Sequence, residues 1–443
     1  MKKKFLTFLS ASVILFSLTS LALSQIDRKL KDDLYSQIEL FSYALTTIQA
    51  DYVEELPPKD LIYGSLKGML ATLDPHSQFL TPEEYKDLKT ETQGKFGGLG
   101  IEISIRDGLL TVVTPIEDTP AWKVGIKSGD RIVKIEDEIT KDMTLGDAVK
   151  LLRGKAGTDI NITVLRESEY KILEFKITRE VIHIQDVKHT QILVDQIGYI
   201  RLVEFREDSA QEIRKALDEL IKLEADSLIL DLRNNPGGLL NVAIKITEEF
   251  LAEGKLIVST KGRRFSQNTE TFSENRDHYV EWPMVILINE GSASGSEILA
   301  GALKDNKRAI IVGSQSFGKG SVQSVIPMPD GSGLRLTTSK YFTPSGESIH
   351  GKGITPDIVV GYLDSVKDEK DEEEVKEDSN VDEIFTNLEL ENAENPEKVK
   401  ENKRAEEVRE RLLNDNQVQS AISVLRGIRV YRTFNGGLEE VTE

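Results

Sequence analysis

The chain has 443 residues, enough for two or three domains of roughly 100–200 residues each. Apolar residues make up 39% and charged residues 30% of the sequence, which is typical of a soluble globular protein. The net charge of −19 argues against a nucleic-acid partner, because phosphate backbones are bound by clustered lysine and arginine. The sequence contains no cysteine, which excludes disulfides, thiolate metal sites and a cysteine nucleophile.

The first 24 residues have the pattern of a secretory signal. Basic residues directly after Met1 are followed by the uncharged stretch 5–23 and by the small residues Ala22 and Ser24, so we expect cleavage after Ser24. The alternative is an uncleaved membrane anchor through residues 5–23, since about 20 apolar residues can span a bilayer. In both cases the remainder is exported, and we expect the protein on the extracytoplasmic side, in the periplasm or cell envelope.

Three further regions differ in their hydrophobic patterns. Residues 25–93 carry apolar side chains every three or four positions, which predicts helices. Residues 94–180 change to short β-type runs punctuated by glycine, with one short helix at Leu145–Leu152. Residues 181–360 alternate strands and helices, which indicates an α/β core with parallel strands.

The predicted elements of this core and the chain beyond it follow from the same patterns. The predicted strands are Ile197–Phe205, Ser227–Leu232, Met284–Ile288 and Ala309–Val312. The predicted helices are Ser209–Glu224, Leu240–Leu251 and Ser296–Leu303. Residues 361–404 are mostly charged and are predicted to form a disordered acidic linker. Apolar spacing returns in residues 405–443, which predicts a C-terminal helical segment.

Small polar residues crowd the segment Asn289-Glu-Gly-Ser-Ala-Ser-Gly-Ser-Glu297, directly after the strand Met284–Ile288. In α/β folds, ligands bind where a parallel strand ends and a helix begins, so a serine here would meet a substrate beside backbone N–H donors. The alternative is a helix-capping serine in an ordinary turn. The pattern differs from the G-x-S-x-G nucleophile elbow, because Ala293 stands at the central position.

A serine nucleophile needs a base, and the segment Phe317-Gly-Lys-Gly320 offers Lys319. A lysine must be desolvated to act as a base near neutral pH, because its ordinary pKa is about 10.4. The alternative is a solvated loop lysine. None of the five histidines forms an H-x-x-x-H pair typical of metal sites, and a Ser-His-Asp triad stays open on spacing alone. No metal and no cofactor are expected.

Six stretches together resemble one known family. They are Leu73-Asp-Pro-His-Ser77, Phe96-Gly-Gly-Leu-Gly-Ile101, Asp231-Leu-Arg-Asn-Asn-Pro-Gly-Gly238, Gly291-Ser-Ala-Ser-Gly-Ser-Glu297, Phe317-Gly-Lys-Gly320 and Gly353-Ile-Thr-Pro-Asp357. In this order they resemble the carboxyl-terminal processing proteases, also called tail-specific proteases, over nearly all of residues 26–360. The resemblance implies an α/β protease core of crotonase/Clp-protease-like βαβ units, an inserted β-rich PDZ domain, and helical N- and C-terminal segments.

The resemblance also implies roles for individual residues. Ser294 would be the nucleophile of a serine endopeptidase and Lys319 its general base, and no spacing argument separates Ser294 from the serines beside it. Gln323 would lie one helical turn beyond Lys319 and orient its amine, and Glu297 is a second candidate for that task. The oxyanion hole would use the N–H group after the nucleophile, on Gly295, and one from the Asn-Pro-Gly-Gly turn, on Gly237 or Gly238.

Residues 94–180 resemble a PDZ domain, whose loop Gly98, Leu99, Gly100 and Ile101 would bind the carboxylate of a substrate tail. The implied substrates are proteins with free, apolar C-termini, which the enzyme would cut near those ends. The competing hypothesis is a catalytically inactive PDZ scaffold that retains the protease fold. The apolar helices of the N- and C-terminal segments could pair between two subunits, so a homodimer stays an open alternative to packing within one chain.

Overall fold

The N-terminal region is helical, as its periodicity predicts. The computed structural model describes residues 33–106, 108–116, 118–167, 170–274, 282–363 and 396–439. Its first elements are α1 (33–51), α2 (Pro58–Ala71), β1 (Gln78–Leu80) and α3 (Pro82–Gln93). No helix among the described residues is long and apolar enough to cross a membrane. The predicted signal or anchor, residues 1–24, lies outside the described ranges.

The next region is a small β-rich domain built around its own core. Its elements are β2 (Lys95–Gly98), β3 (Ile101–Arg106), β4 (Leu109–Pro115), α4 (Pro120–Lys123), β5 (Arg131–Ile135), β6 (Glu138–Ile139), α5 (Leu145–Leu152), β7 (Asp159–Arg166), β8 (Lys171–Thr178) and β9 (Glu180–His183). Five strands form a sheet in the order β3-β4-β5-β7-β8, with β6 paired to β5. Strands β2 and β9 pair separately as an antiparallel ribbon at the domain's two ends. The predicted helix Leu145–Leu152 is confirmed.

The third region contains two sheets with helices between their strands. Its elements are β10 (Val187–Ile192), β11 (Ile197–Leu202), α6 (Ser209–Lys222), β12 (Ser227–Asp231), α7 (Leu240–Glu248), β13 (Leu256–Gly262), a 3₁₀ turn (Phe265–Gln267), β14 (Thr269–Phe272), β15 (Met284–Ile288), α8 (Gly295–Asp305), β16 (Ile310–Gly313), β17 (Ser321–Pro327), β18 (Gly333–Phe342) and β19 (Ile358–Val359). The predicted strand Met284–Ile288 is confirmed, and the other predicted strands and helices begin and end within three residues of the observed bounds.

The central sheet has the order β10-β11-β12-β15-β16-β19. All its pairs from β11 onward are parallel, and β10 is antiparallel to β11. The predicted parallel α/β core is therefore confirmed. A second, antiparallel sheet, which the patterns did not predict, has the order β1-β18-β13-β14, with β17 also paired to β18.

Both faces of the central sheet are covered, which is why its strands are continuous apolar runs. Successive strand residues point to opposite faces, so Leu228 and Leu230 pack with helices α6, α7 and α8, whereas Ile229 faces the other way. That second face is covered by the C-terminal segment, through apolar residues of its last helix such as Val418 and Ile422.

The C-terminal segment consists of two helices, α9 (Pro396–Leu413) and α10 (Asn416–Glu439). The prediction that residues 361–404 form a disordered linker is therefore wrong for the stretch that begins at Pro396. Glutamate, lysine and arginine favour helices almost as well as alanine does, so a charge-rich stretch can be helical. Residues 364–395 lie outside the described ranges.

Candidate active site

Two turns meet at the carboxyl ends of neighbouring parallel strands. The turn after β12 leads to α7, and the turn after β15 leads to α8, while β12 and β15 pair directly. Asn234 and Asn289 join the turns reciprocally: Asn234 N–H donates to Asn289 Oδ1 at 2.8 Å, and Asn289 Nδ2 donates to Asn234 Oδ1 at 2.9 Å. The two segments singled out in the sequence are thus held side by side.

The three serines of the second turn are in different environments. Ser292 Oγ donates to the carbonyl of Leu232 at 2.8 Å, Ser296 Oγ donates to the carbonyl of Asn235 at 2.9 Å, and both side chains are fully buried. Ser294 is 8% exposed, and its hydroxyl donates to no acceptor in the described part of the chain. Two of the serines are therefore structural, and Ser294 is the one whose hydroxyl proton is not committed to an acceptor within the described residues.

The backbone of Ser294 is strained. Its φ is +51°, a left-handed value that is uncommon outside glycine and is maintained only when the surroundings impose it. Ser294 directly precedes α8, so it stands where a buried strand turns sharply into a helix. Its N–H donates to Glu297 Oε2 at 2.8 Å, which fixes this conformation.

Two free N–H groups lie beside this serine. Gly295 and Gly238 donate no hydrogen bond within the described residues, whereas Gly237 N–H is taken by Asn235 Oδ1 at 2.9 Å. The turn backbone touches the start of α8, because a Cβ on Gly237 would lie 2.7 Å from the nitrogen of Gly295 and from Ser294 Cβ. Of the two turn glycines predicted for an oxyanion hole, only Gly238 has its donor available.

Glu297 is a buried hub between two loops. Its Oε1 accepts from Ser316 Oγ and from Gly318 N–H, both at 2.6 Å, and its Oε2 accepts from Ser294 N–H and from Lys319 N–H at 2.9 Å. Burial raises the pKa of this carboxyl, and its hydrogen bonds oppose that rise. The side chain therefore joins the serine turn to the lysine loop through backbone groups.

Lys319 lies in the loop between β16 and β17, and its amine is partly desolvated. Burial lowers its pKa, the positive charge of Arg335 lowers it further, and Glu297 partly opposes both effects. Within the described residues neither Ser294 Oγ nor Gln323 hydrogen-bonds to Lys319 Nζ. The two predicted dyad residues are connected through Glu297, which accepts both of their backbone N–H groups. Such burial is the condition under which a lysine can act as a base near neutral pH.

The predicted helical relation of Gln323 to Lys319 is wrong. Gln323 lies on β17, which pairs with β18 along its length. Its Nε2 donates to Ser321 Oγ at 2.8 Å, and its Oε1 accepts from an Arg335 Nη at 3.3 Å. The β-branched residues around it favour a strand. This preference prevailed over the helical turn that the i, i+4 spacing of Lys319 and Gln323 had suggested.

In the β-rich domain the predicted carboxylate-binding loop connects β2 to β3. Leu99 is buried in the domain core, and Gly100 has a φ of +77°, where a Cβ would lie 2.2 Å from Thr119 Cβ. The N–H groups of Leu99 and Gly100 donate to no acceptor within the described residues. Gly98 ends β2 and Ile101 begins β3, and helix α5 packs against β3.

The sequence reasoning missed a buried ionic network behind the first turn. Arg233 binds Asp231 with two of its nitrogens, and its Nη1 binds Asp415 Oδ2 at 2.7 Å and Gln417 Oε1 at 2.9 Å. Tyr199 donates to Asp231 at 2.7 Å. A cavity of about 1100 Å³ lies beside this network and is not lined by the serine or the lysine. Only the Asp-Leu-Arg spacing hinted at an ion pair.

Comparison with known proteins identifies two matching families. Residues 196–360 match the model of peptidase family S41, and residues 111–166 match that of the PDZ domain. A carboxy-terminal-processing protease of Bartonella bacilliformis is 44% identical over 357 residues, which cover 80% of each chain. The carboxy-terminal processing protease CtpA of Bacillus subtilis is 35% identical over 333 residues, covering 75% of this chain and 71% of that protein. The solved photosystem II D1 C-terminal processing protease is 29% identical, covering 73% of this chain and 92% of that chain, with a TM-score of 0.43.

Proposed function

This chain belongs to peptidase family S41, among the carboxy-terminal processing proteases that carry a PDZ domain, and is a serine-type peptidase; from that premise we propose that Ser294 and Lys319 form its catalytic dyad. One observation carries the assignment: Ser294 is the serine of its turn whose hydroxyl proton has no acceptor within the described residues, and it stands beside the unpaired N–H groups of Gly295 and Gly238. A nucleophile next to unpaired backbone donors is the arrangement that acyl transfer requires.

In the proposed reaction, neutral Lys319 takes the proton of Ser294 as Oγ attacks the scissile carbonyl. The N–H groups of Gly295 and Gly238 stabilise the negative charge that develops on the carbonyl oxygen. The lysine then protonates the departing amine, and water hydrolyses the acyl-enzyme. Because no hydrogen bond joins Lys319 Nζ to Ser294 Oγ within the described residues, the two side chains must come within hydrogen-bond distance before the proton is transferred. Glu297 positions the lysine through the backbone N–H of Lys319.

The PDZ domain is proposed to capture the free carboxylate of a protein tail. The unpaired N–H groups of Leu99 and Gly100 would bind the carboxylate, while the tail adds a strand in the groove between β3 and α5. Apolar C-terminal side chains suit the apolar core that adjoins this groove. Export, followed by signal cleavage or by anchoring through residues 5–23, would place the enzyme in the periplasm or cell envelope.

The decisive experiment uses one peptide substrate with an apolar free C-terminus and its amidated twin. We expect wild-type protein to cleave the free acid faster, and Ser294→Ala protein to bind the tail without cutting it. Ser292→Ala is the matched control, because its hydroxyl is committed to the carbonyl of Leu232. Equal cleavage by wild type and Ser294→Ala would refute the dyad. If correctly folded wild-type protein leaves both peptides uncut, the chain is the catalytically inactive PDZ scaffold instead.

We also propose a homodimer that uses helix α1. Every residue from 33 to 51 is exposed except Leu45, and the exposed set includes the large apolar side chains Leu34, Ile38 and Phe41. A second copy of the chain would cover such a helix. Light scattering should give twice the chain mass, and Phe41→Glu should halve it; a monomer mass for wild type would rule the dimer out.

A further inference from the structure

The hairpin between β13 and β14 carries positive side chains that have no acidic partner. Lys261, Arg263 and Arg264 lie towards its end, and Lys340 lies on the neighbouring strand β18. All four are exposed, and none forms a salt bridge with another described residue. The whole chain has a net charge of −19, so this cluster is opposite in sign to the molecule that carries it. Together with Phe265 we call these residues the basic hairpin.

The strand register places two of these cations directly opposite each other. Lys261 pairs with Lys340 in the antiparallel pairing of β13 with β18. The next pair, Thr260 and Tyr341, is buried, so the two lysines lie on the face of the sheet that points away from the core. Glu270 of β14 is exposed on that outer face and forms no salt bridge with either lysine. Like charges directly opposite on two strands are destabilising, and an anionic partner would relieve this repulsion.

Phe265 stands at the end of the hairpin and is 91% exposed. Hydrogen bonds hold the turn that carries it: Gln267 Oε1 accepts from Arg264 N–H at 2.9 Å, and the carbonyl of Gln267 accepts from Thr260 Oγ1 at 2.7 Å. The inner polar groups of the turn are therefore paired, whereas the arginines and the phenylalanine ring stay exposed to solvent. The turn displays this apolar ring between cations on a structured support.

Exposed cations around a projecting aromatic ring match the chemistry of an anionic lipid surface. Lysine and arginine near such a surface are attracted to its negative charge, and an apolar ring inserts at the boundary between headgroups and acyl chains. Aromatic anchors of protein interfaces lie instead near the centre of a patch, enclosed by other contacts. Phe265 stands at the end of a hairpin, which favours the lipid.

We propose that the basic hairpin docks the protein on an anionic phospholipid membrane, with Phe265 inserted at headgroup level and the four cations bound to lipid phosphates. The inference goes beyond the proposed Ser-Lys chemistry and does not depend on it. Strand β18 pairs with both β13 and β17, and Tyr341 N–H donates to the carbonyl of Gly320 at 2.8 Å. The docked sheet is thus joined to the loop that carries Lys319, so docking would hold the candidate active site close to the membrane.

The test uses the full chain with Phe265→Trp as a fluorescent reporter, and vesicles of phosphatidylcholine with or without phosphatidylglycerol. Wild-type emission, which comes from Trp122 and Trp282, is subtracted. Emission of the new tryptophan should move to shorter wavelength on vesicles that contain phosphatidylglycerol and stay unchanged on phosphatidylcholine alone. Binding should weaken as salt is raised, because salt screens exposed charges. An anchor in residues 5–23 would act on both kinds of vesicle, so the difference between them reports the hairpin.

Removal of the cations should weaken binding in proportion to their number. In the reporter protein, Arg263→Gln with Arg264→Gln should raise the apparent Kd for anionic vesicles about 25-fold, which is about fivefold for each charge. Lys340→Gln, a single change on an exposed face, should raise it about fivefold and keeps the test valid should the double variant unfold.

The matched control is Lys215→Gln with Lys222→Gln. Both lysines are exposed on α6, so their removal subtracts the same charge outside the hairpin and should leave the Kd unchanged. Ser294→Ala protein should bind vesicles as wild type does, which separates this inference from the proposed catalytic function.

Two outcomes would overturn the inference. One is an equal response of the reporter to anionic and neutral vesicles, with no effect of the arginine substitutions. The other is a shift of its emission by soluble oligoglutamate but not by anionic vesicles, which would make the basic hairpin a docking site for acidic protein segments.

Discussion

Replacement of Asp415 should weaken the contact between the C-terminal segment and Arg233, which directly precedes the active-site turn. Asp415 lies in the break between α9 and α10 and has two roles. Its Oδ1 accepts the N–H groups of Gln417 and Val418, at 2.9 and 3.1 Å, and so caps α10. Its Oδ2 binds Arg233, whose side chain is 8% exposed while that of Asp415 is 16% exposed.

The size of the effect follows from these two roles. Loss of a helix N-cap costs about 1 kcal/mol. Loss of a hydrogen bond to a buried charge costs about 2 kcal/mol here, below the full penalty for an orphaned ion, because Asp231 still neutralises Arg233. Asp415→Ala should therefore weaken the docking of α10 by about 3 kcal/mol. Asp415→Asn, which keeps an excellent cap, should cost about 2 kcal/mol.

Amide hydrogen exchange of α10 measures this docking, because local opening sets the exchange rate. We expect exchange in α10 to be about a hundredfold faster in Asp415→Ala than in wild type, and several-fold slower in Asp415→Asn than in Asp415→Ala. Since Arg233 directly precedes the turn that carries Gly238, kcat should also fall while KM stays nearly constant. Equal exchange in the two variants would refute the separate contribution of the cap, and unchanged exchange in both would refute the ionic clamp.

Three further predictions concern the candidate site. In Gly238→Ala the added Cβ would lie 2.2 Å from the carbonyl oxygen of Phe205, so the N–H group of this residue should be displaced. We expect kcat to fall by about a hundredfold, the usual cost of losing an oxyanion donor. An active variant would contradict the assignment of this donor. Glu297→Gln should lower both kcat and the urea midpoint, because one carboxylate oxygen that accepts two hydrogen bonds becomes a donor; unchanged steady-state kinetics would remove Glu297 from the positioning machinery. Burial and Arg335 lower the pKa of Lys319, so the unfolded chain binds more protons between that lowered pKa and about 10.4, and stability should rise with pH across this interval. Urea unfolding of wild type and Lys319→Met at several pH values measures this slope, which the variant should lack.

The architecture of the protease core could be predicted from local patterns. Strand Met284–Ile288 is a run of five buried apolar residues, and such runs between amphipathic helices indicate a parallel sheet covered on both faces. The small residues after it could be placed at the strand end for the same reason. The antiparallel sheet around β18 escaped prediction, since half-buried strands with irregular alternation resemble loops in sequence.

The sequence by itself determined the candidate segments and their order, because the strand-to-helix turns and glycine-rich loops are encoded by neighbouring residues. The family resemblance chose Ser294, but only the tertiary structure gave a physical difference between it and the serines beside it, and between Gly238 and Gly237. It also placed Gln323 on a strand and paired Arg233 with Asp415, 182 positions later in the chain. These outcomes depend on which hydroxyl or N–H group another segment engages. Such hydrogen bonds form between residues that folding brings together, so local periodicity and spacing carry no information about them.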